Sequence, residues 1–134
     1  KYDSLIKENA KKLGWDWRLL ASLVYQESRF DQEANSWTGA EGLMQLMPNT
    51  AEELGVENLL DPIDNINAGS KYLKSIYDNF EEITDTVQRI KFTMGAYNSG
   101  YYHIKDARKL ATLNKLNPNV WDGNVNEMLL ELKE

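Results

Sequence analysis

Apolar residues recur along most of the chain at the three- and four-residue spacing of an α-helix. The pattern predicts helices over Asp3–Leu13, from Asp16 to about Ser28, over Pro48–Leu54, Asn65–Phe80 and Thr84–Tyr97, and from about Tyr101 to Leu113. A last helix is indicated by Val125, Met128, Leu129 and Leu132. Because strand-like alternation is absent, the sequence predicts an all-α fold, with residues 1–134 forming a single domain.

Polar residues and glycines mark where the predicted helices begin and end. Gly14 is a favourable residue just after a helix, and Asp16 is a plausible N-cap for the next one. Gln32–Gly42 is polar and carries two glycines, which predicts a structured loop. The segment DPIDNIN lacks the spacing of a calcium-binding loop. Helix capping is therefore predicted for its polar residues, Asp61, Asp64, Asn65 and Asn67.

Composition and charge exclude several classes of function. The chain has no cysteine, which removes disulfides, thiolate catalysis and cysteine-based zinc sites. Its one histidine, His103, cannot supply a zinc cluster. The formal charge is -6, from 15 basic and 21 acidic residues, which argues against bulk attraction to nucleic acid or an anionic membrane. We therefore expect no metal site and no nucleic-acid partner.

A carboxylate at the end of an apolar helix is the leading candidate for chemistry. In the stretch LASLVYQESRFD, Glu27 falls on the same stripe as Leu23 and Val24. Partial burial and the negative end of a helix both raise a carboxyl pKa, which keeps a proton available near neutral pH. A general acid for glycoside cleavage needs such a proton. The alternative is a surface Glu27 paired with Arg29 or a lysine, and this helix alone favours that alternative.

A glycosidase usually needs a second carboxylate, and Asp31 lies four residues after Glu27. The helix is predicted to end near Ser28, so the two side chains have no fixed relation, and we expect Asp31 to cap or to be solvated.

Several side chains could recognise a sugar. Polar groups able to bind sugar hydroxyl or acetamido groups are Ser36, Gln45, Tyr97 and Asn98. Flat aromatic surfaces are offered by Trp37, Tyr101, Tyr102 and Trp121. Ser36 and Asn98 are equally ordinary turn residues.

Four ordered segments carry a resemblance to a known family. YQESRF, NSWTGAEGLMQLMPNTAEELGV, DPIDNINAGSKYL and MGAYNSG, within Trp17–Gly100, resemble the lytic transglycosylase catalytic domain, which has the goose-type lysozyme-like fold. HIKDARKLA followed by NPNVW is similar to the branch of membrane-bound lytic transglycosylase F. The resemblance implies a C-terminal catalytic module, preceded in the longer protein by a solute-binding-like regulatory domain. It also implies a bacterial periplasmic location, associated with the outer membrane.

The resemblance implies peptidoglycan glycan strands as the substrate and partner of a monomeric enzyme without metal or organic cofactor. Such enzymes cleave the β-1,4 bond between N-acetylmuramic acid and N-acetylglucosamine without adding water. The muramic C6 hydroxyl attacks its own C1 and leaves a 1,6-anhydro end. Glu27 aligns with the catalytic glutamate of the family, which acts first as acid and then as base, and this alignment favours catalysis over an ion pair.

Other positions carry over from the family one at a time. Ser36 matches the serine of the loop after the catalytic helix, expected to contact the muramic acetamido group or to stabilise the charged intermediate. Gln45 and Met47 match residues that line the cleft beside it. Tyr97 and Asn98 match a pair facing the glutamate. Three other functions stay open: a hydrolytic lysozyme of the same fold, a cell-wall-binding module without turnover, and a general helical interaction domain.

Overall fold

The computed structural model describes residues 1–133, and it describes their side chains as far as Leu132. Within this part of the chain there is no strand, and the only bridge pairs, Asn35 with Glu41 and Glu41 with Leu46, are isolated. The predicted all-α class is therefore confirmed. The helices are α1 Asp3–Leu13, α2 Trp17–Ser28, α3 Pro48–Glu53, α4 Pro62–Asn79, α5 Thr86–Ser99, α6 Tyr101–Leu113 and α7 Asn126–Lys133.

Local capping sets the helix ends. Gly14 ends α1 in the left-handed conformation, with φ 76°, and the Asp16 carboxylate accepts the backbone N–H of Arg18 at 2.9 Å to begin α2. Both predicted caps are confirmed. The helix α5 begins two residues later than predicted because the Asp85 carboxylate caps it, accepting the backbone N–H of Gln88 at 3.0 Å.

Contacts between residues divide the chain into two compact units, Lys1–Lys74 and the residues from Ser75 onward. The first holds α1, α2, α3 and most of α4, and the second holds the last residues of α4 with α5, α6 and α7. The single domain predicted over residues 1–134 stays a prediction. None of the helices in the described residues has the length and apolar character needed to cross a bilayer.

In the first unit, α1 packs against α2, and the loop after α2 packs against α4. Met44 of that loop is fully buried beside Gly69 of α4. A Cβ atom on Gly69 would lie 2.4 Å from the Met44 sulfur, so only glycine permits this contact. Trp15 is also buried, at 7% exposure.

In the second unit, aromatic rings form the centre of the core. Phe92 lies between Phe80, at a centroid distance of 5.7 Å, and Trp121, at 5.3 Å. Gly95 allows the indole of Trp121 to approach α5, since a Cβ there would lie 2.5 Å from the ring. The segment Trp121–Val125 forms a wide turn that leads into α7, and it contains a left-handed Gly123.

Arg108 of α6 joins this core to the segment before α7. Its Nε donates to the Pro118 carbonyl at 3.0 Å, and Nη2 donates to Asn119 Oδ1 at 2.8 Å. It also pairs with Glu82, and its guanidinium lies 5.6 Å from the centroid of the Phe92 ring. Because these contacts need the planar fork of arginine, a lysine at this position would not replace them.

Candidate active site

Glu27 lies in the last turn of α2. The helix stops at Ser28 because the next two residues, Arg29 and Phe30, adopt the left-handed conformation with φ 53° and 63°. Asp31 therefore does not continue the helical face of Glu27, and its carboxylate instead accepts the backbone N–H of Glu33 at 2.9 Å. Asp31 is exposed, as expected for a solvated residue, and its hydrogen bond belongs to a turn rather than to a helix start, which leaves Glu27 as the leading candidate acid in this segment.

The surroundings of Glu27 favour a protonated carboxyl. The side chain is partly buried, and burial raises its pKa above the ordinary glutamate value. Among the side chains that the structure describes, no ion pair and no hydrogen bond involves the Glu27 carboxylate. The Arg29 guanidinium lies instead 5.8 Å from the centroid of the Tyr25 ring. The alternative of a Glu27–Arg29 pair is wrong, and the predicted direction of the pKa shift is confirmed.

The raised pKa predicts a pH-dependent difference in stability between the parent chain and Glu27→Gln. The native state holds the Glu27 proton to higher pH than the unfolded state does. The stabilisation from that proton is therefore complete below the ordinary glutamate pKa and is lost as pH rises through the raised value. Glu27→Gln cannot ionise. The free energy of unfolding of Glu27→Gln, relative to that of the parent chain, should therefore increase as pH rises from about 4, the ordinary glutamate value, through the raised pKa of Glu27.

Urea unfolding of both proteins across this pH range measures the effect. Glu33→Gln is the matched control, because it removes the same charge from an exposed side chain of the same segment. A Glu27→Gln difference that stays constant with pH, or that follows the Glu33→Gln curve, would contradict the proposed protonation.

The loop after α2 is ordered by its own hydrogen bonds, as predicted for Gln32–Gly42. The Ser36 N–H donates to the Ala40 carbonyl at 2.9 Å, and the Ala40 N–H donates back to Ser36 Oγ at 2.9 Å. The hydroxyls of Ser36 and Thr38 share a hydrogen bond of 2.9 Å. Ser36 therefore acts as an ordinary turn residue, which was the alternative to its predicted role in binding substrate. Its predicted contact with substrate stays a prediction.

Gln45 and Met47 follow in the same loop. Gln45 has a left-handed backbone, with φ 50°, and its Nε2 donates to the carbonyls of Ala34 at 3.1 Å and Gly42 at 2.9 Å. Both amide hydrogens are thus used inside the loop, which leaves Oε1 as the acceptor available to a ligand. Met47 directly precedes α3 and is 41% exposed, so it offers an apolar surface.

Asn65 of α4 holds this loop in place. Its side chain is fully buried, Oδ1 accepts the Met44 N–H at 2.8 Å, and Nδ2 donates to the carbonyls of Glu41 at 2.9 Å and Leu59 at 2.8 Å. Gly42 is needed for this approach, because a Cβ there would lie 2.2 Å from Asn65 Nδ2. One side chain thus satisfies three backbone groups of the polypeptide around the candidate site.

Helix capping, which was predicted for the polar residues of DPIDNIN, is correct only in part. The Asp61 carboxylate does cap α4, accepting the Ile63 N–H at 2.8 Å. The prediction is wrong for Asn65, and it is wrong for Asn67, whose Oδ1 accepts from Asn9 Nδ2 at 2.9 Å. Both side chains bind segments that are distant in the sequence, and a local capping pattern gives no information about such contacts.

Tyr97 and Asn98 belong to the second unit. They lie in the last turn of α5, which ends at Ser99 before Gly100 with φ 97°. Tyr97 is partly buried and Asn98 is exposed. Their predicted position facing Glu27 stays a prediction.

The aromatic residues proposed for sugar stacking separate into two groups. Tyr101 and Trp121 pack in the core of the second unit, against Phe80 and Phe92 respectively. Trp37 is 97% exposed, on the loop that carries Ser36. Tyr102 is exposed as well, on α6. Of these residues, Trp37 is the one placed beside the candidate substrate-binding loop.

Several known proteins are similar to the chain. The sequence model of the family described as the transglycosylase SLT domain matches residues 4–118. The chain is similar to membrane-bound lytic murein transglycosylase F from Stutzerimonas stutzeri, at 44% identity over the whole chain and 27% of that protein. The protein of the same name from Pseudomonas fluorescens gives 45% identity at the same coverage, and that from Shewanella sediminis gives 46% over 81% of the chain and 22% of the relative.

A solved structure is also similar. The X-ray structure of lytic transglycosylase Slt from Pseudomonas aeruginosa, an inactive mutant with glutamine in place of a glutamate, has a TM-score of 0.64 and 27% identity. The match covers 79% of this chain and 18% of that one. It confirms the predicted lysozyme-like helical fold. The chain spans about a quarter, 27%, of the length of the first two curated relatives.

Proposed function

Because this chain belongs to the transglycosylase SLT domain family, we propose that it is the catalytic domain of a peptidoglycan lytic transglycosylase of the bacterial cell envelope. The observation that carries the proposal is the partly buried Glu27, with a raised pKa and no cationic partner among the described side chains. The inactive mutant of the Slt relative, with its glutamate changed to glutamine, supports a reaction that depends on one carboxyl group.

In the proposed reaction, Glu27 first acts as a general acid. Its proton passes to the glycosidic oxygen between N-acetylmuramic acid and N-acetylglucosamine as the bond from that oxygen to C1 breaks. The N-acetylglucosamine unit leaves with a hydroxyl, and positive charge develops at C1 of the muramic residue. Burial supports this step because it favours the neutral, proton-donating form of the carboxyl group.

The Glu27 carboxylate then acts as a general base. It takes the proton of the muramic C6 hydroxyl while the C6 oxygen bonds to C1, which forms the 1,6-anhydro ring. Glu27 regains its proton, and no water is consumed. The nucleophile is part of the substrate, so its closeness to C1 replaces the water that a second carboxylate would position. The observation that the Asp31 carboxylate is exposed and bonded within a turn agrees with this single-carboxyl mechanism.

Other site residues are proposed to position the sugar. Gln45 Oε1 is the acceptor left for an acetamido N–H or a hydroxyl, since its Nε2 hydrogens are used in the loop. Met47 supplies an apolar surface, and Ser36 fixes the loop that contacts the muramic residue. Tyr97 and Asn98 are proposed as further substrate-binding residues.

Mass spectrometry of products released from purified peptidoglycan sacculi tests the proposed function. An anhydro end is lighter than a hydrolysed end by one water. We expect muropeptides that end in 1,6-anhydro-N-acetylmuramic acid. Reducing N-acetylmuramic acid ends would instead indicate a hydrolytic lysozyme, and sacculus binding without any release would indicate a cell-wall-binding module.

Trp37 is predicted to stack on a sugar ring of the glycan strand. Trp37→Ala should raise KM for soluble glycan strands about threefold to tenfold with little change in kcat, whereas Trp37→Phe should keep most of the affinity because it keeps an aromatic face. The indole is 97% exposed, so neither variant should change the free energy of unfolding by more than about 0.5 kcal/mol. Equal KM values for the Ala and Phe variants would argue against stacking.

A further inference from the structure

A pocket of about 370 Å³ lies between α1 and α4 in the first unit. This volume falls within the range of small-ligand sites. Its α4 residues occur at positions 67, 70, 71 and 74, which is the spacing of one helix face. Glu27 is not among the lining residues, so the pocket is separate from the proposed catalytic group. The polar residues that line it are Asn9, Lys12, Asn67, Ser70, Lys71 and Lys74.

The pocket is basic although the chain as a whole is acidic. Three lysines and no carboxylate line it, in a chain of formal charge -6. Lys71 makes no ion pair with any described side chain. Lys12 has only the exposed Glu8 at 3.9 Å, and a surface pair of this length contributes little. The charges of Lys12 and Lys71 are therefore largely available to an anion that enters the pocket.

A buried hydroxyl without a partner lies in the same wall. Ser70 is 5% exposed, and its Oγ has no hydrogen-bond partner among the described residues. The helical hydroxyls of Ser28, Thr93 and Thr112 each donate to the carbonyl four residues earlier, and Ser70 does not. An unsatisfied buried hydroxyl costs folding free energy. If the Ser70 side chain rotates about its Cα–Cβ bond, its hydroxyl could donate to an acceptor atom of a ligand, and this hydrogen bond would remove the cost.

The paired asparagines add a donor. Asn9 Nδ2 donates to the Leu5 carbonyl at 2.9 Å and to Asn67 Oδ1 at 2.9 Å. Since Asn67 Oδ1 is the atom that accepts, its Nδ2 group is left to donate elsewhere. Ammonium, hydroxyl and amide donors thus converge on one pocket, which is the donor set that a carboxylate requires.

We propose that this pocket binds a carboxylate of the stem peptide attached to peptidoglycan strands, an inference that rests on the proposed function. A neighbouring cleft shares Asn67 and Lys71 and carries Glu57 and Asp64, which suit an ammonium group. The diamino acid of a stem peptide has both charges. A concave pocket on a protein of charge -6 fits a small peptide better than an anionic membrane surface.

Calorimetric titration of the whole chain with the sugar-free tripeptide L-Ala-γ-D-Glu-meso-diaminopimelate tests the proposal. We expect measurable binding that Lys71→Gln weakens about tenfold. Lys11→Gln is the matched control, because Lys11 is an exposed α1 lysine that does not line the pocket, and it should bind like the parent chain. Equal affinity of Lys71→Gln and the parent chain would overturn the proposal.

Ser70→Ala separates a ligand role from a structural role. Removal of an unpartnered buried hydroxyl should leave the free energy of unfolding unchanged or higher, while tripeptide affinity falls about threefold to tenfold. A purely structural serine would not produce these opposite changes. Unchanged tripeptide affinity in Ser70→Ala would show that the Ser70 hydroxyl does not bind the peptide.

Other anions serve as competing probes. Tripeptide with amidated carboxyl groups should not bind. Binding of inorganic phosphate or phosphatidylglycerol vesicles, with no binding of the tripeptide, would overturn the peptide assignment and indicate a phosphate or a membrane site. If the chain binds the tripeptide but releases no anhydro product from sacculi, the proposed function fails and the peptide pocket stands. If it releases anhydro product but does not bind the tripeptide, the pocket proposal alone fails.

Discussion

Glu27→Gln is expected to reduce the release of anhydro-muropeptides on the order of 10⁴-fold, the upper end of the usual effect of general acid–base catalysis. The upper end applies because the same carboxyl group is proposed to donate one proton and to accept another. Glutamine has nearly the same size as glutamate but can neither donate an acidic proton nor act as a base. Since Glu27 makes no ion pair or hydrogen bond among the described side chains, the variant should keep its fold and bind glycan strands.

The rate of product release from purified sacculi, followed by mass spectrometry, measures this effect. Glu33→Gln is again the matched control, because it lies six residues along the chain, is exposed, and should release products at the parent rate. The parent enzyme should also lose activity as pH rises through the raised pKa of Glu27, because the acid form is consumed. A Glu27→Gln rate within tenfold of the parent rate would show that another group transfers the proton.

Local sequence signals predicted most helix ends. The first two helices match their predicted limits because Gly14 and Asp16 act through their own neighbours. The helix α4 starts at Pro62, three residues before the predicted start, because Asp61 caps it. Capping residues lie close in sequence to the groups they bind, so sequence alone places helix ends to within about three residues.

The direction of the Glu27 pKa shift was also predictable, because the apolar stripe of α2 is a local feature. The choice between burial and an ion pair was not predictable from the helix. It depends on the left-handed backbone at Arg29 and Phe30, which ends α2, and on the placement of the Arg29 guanidinium against the ring of Tyr25. The sequence does not indicate a left-handed backbone at an arginine or a phenylalanine, because these residues rarely adopt this conformation.

Contacts between distant segments were missed for the same reason. Asn65 and Asn67 share one polar segment, yet one binds the loop at residues 41–44 and the other binds Asn9 of α1. A signal for Asn65 does exist in the sequence, because it precedes Gly69 and Leu73 of the buried stripe by one and two helical turns. An asparagine on a buried stripe needs hydrogen-bond partners, and that requirement predicts a contact but not which segment supplies it.

Asn65→Ala is expected to lower the free energy of unfolding by about 3–5 kcal/mol. The substitution removes the three hydrogen bonds of this side chain. The Leu59 carbonyl then has no partner among the described residues, whereas the Glu41 carbonyl still accepts the Leu46 N–H at 3.1 Å. It also opens a cavity, because the side chain is fully buried. A loss of this size is a large part of the total stability of about 5–15 kcal/mol that domains have.

Asn65→Asp distinguishes the hydrogen-bond pattern from simple packing. Aspartate keeps the shape of asparagine and can accept the Met44 N–H, but as a carboxylate it directs an oxygen toward the carbonyls of Glu41 and Leu59. We therefore expect it to destabilise the chain about as much as alanine at neutral pH. Urea unfolding measures both variants, with Asn79→Ala as the control, because Asn79 is exposed at the end of the same helix.

Activity should fall in the Asn65 variants under conditions where the chain is still folded, because the loop that presents Ser36 and Gln45 is attached to α4 through this side chain. The loss should appear mainly as a higher KM for glycan strands, since the loop is proposed to position the sugar while Glu27 transfers the proton. An Asn65→Ala protein that loses less than about 1 kcal/mol of stability would mean that water or a rearranged backbone satisfies the three groups. The position of the loop would then be set by the packing of Met44 against Gly69, and the serine and glutamine would keep their places without the asparagine.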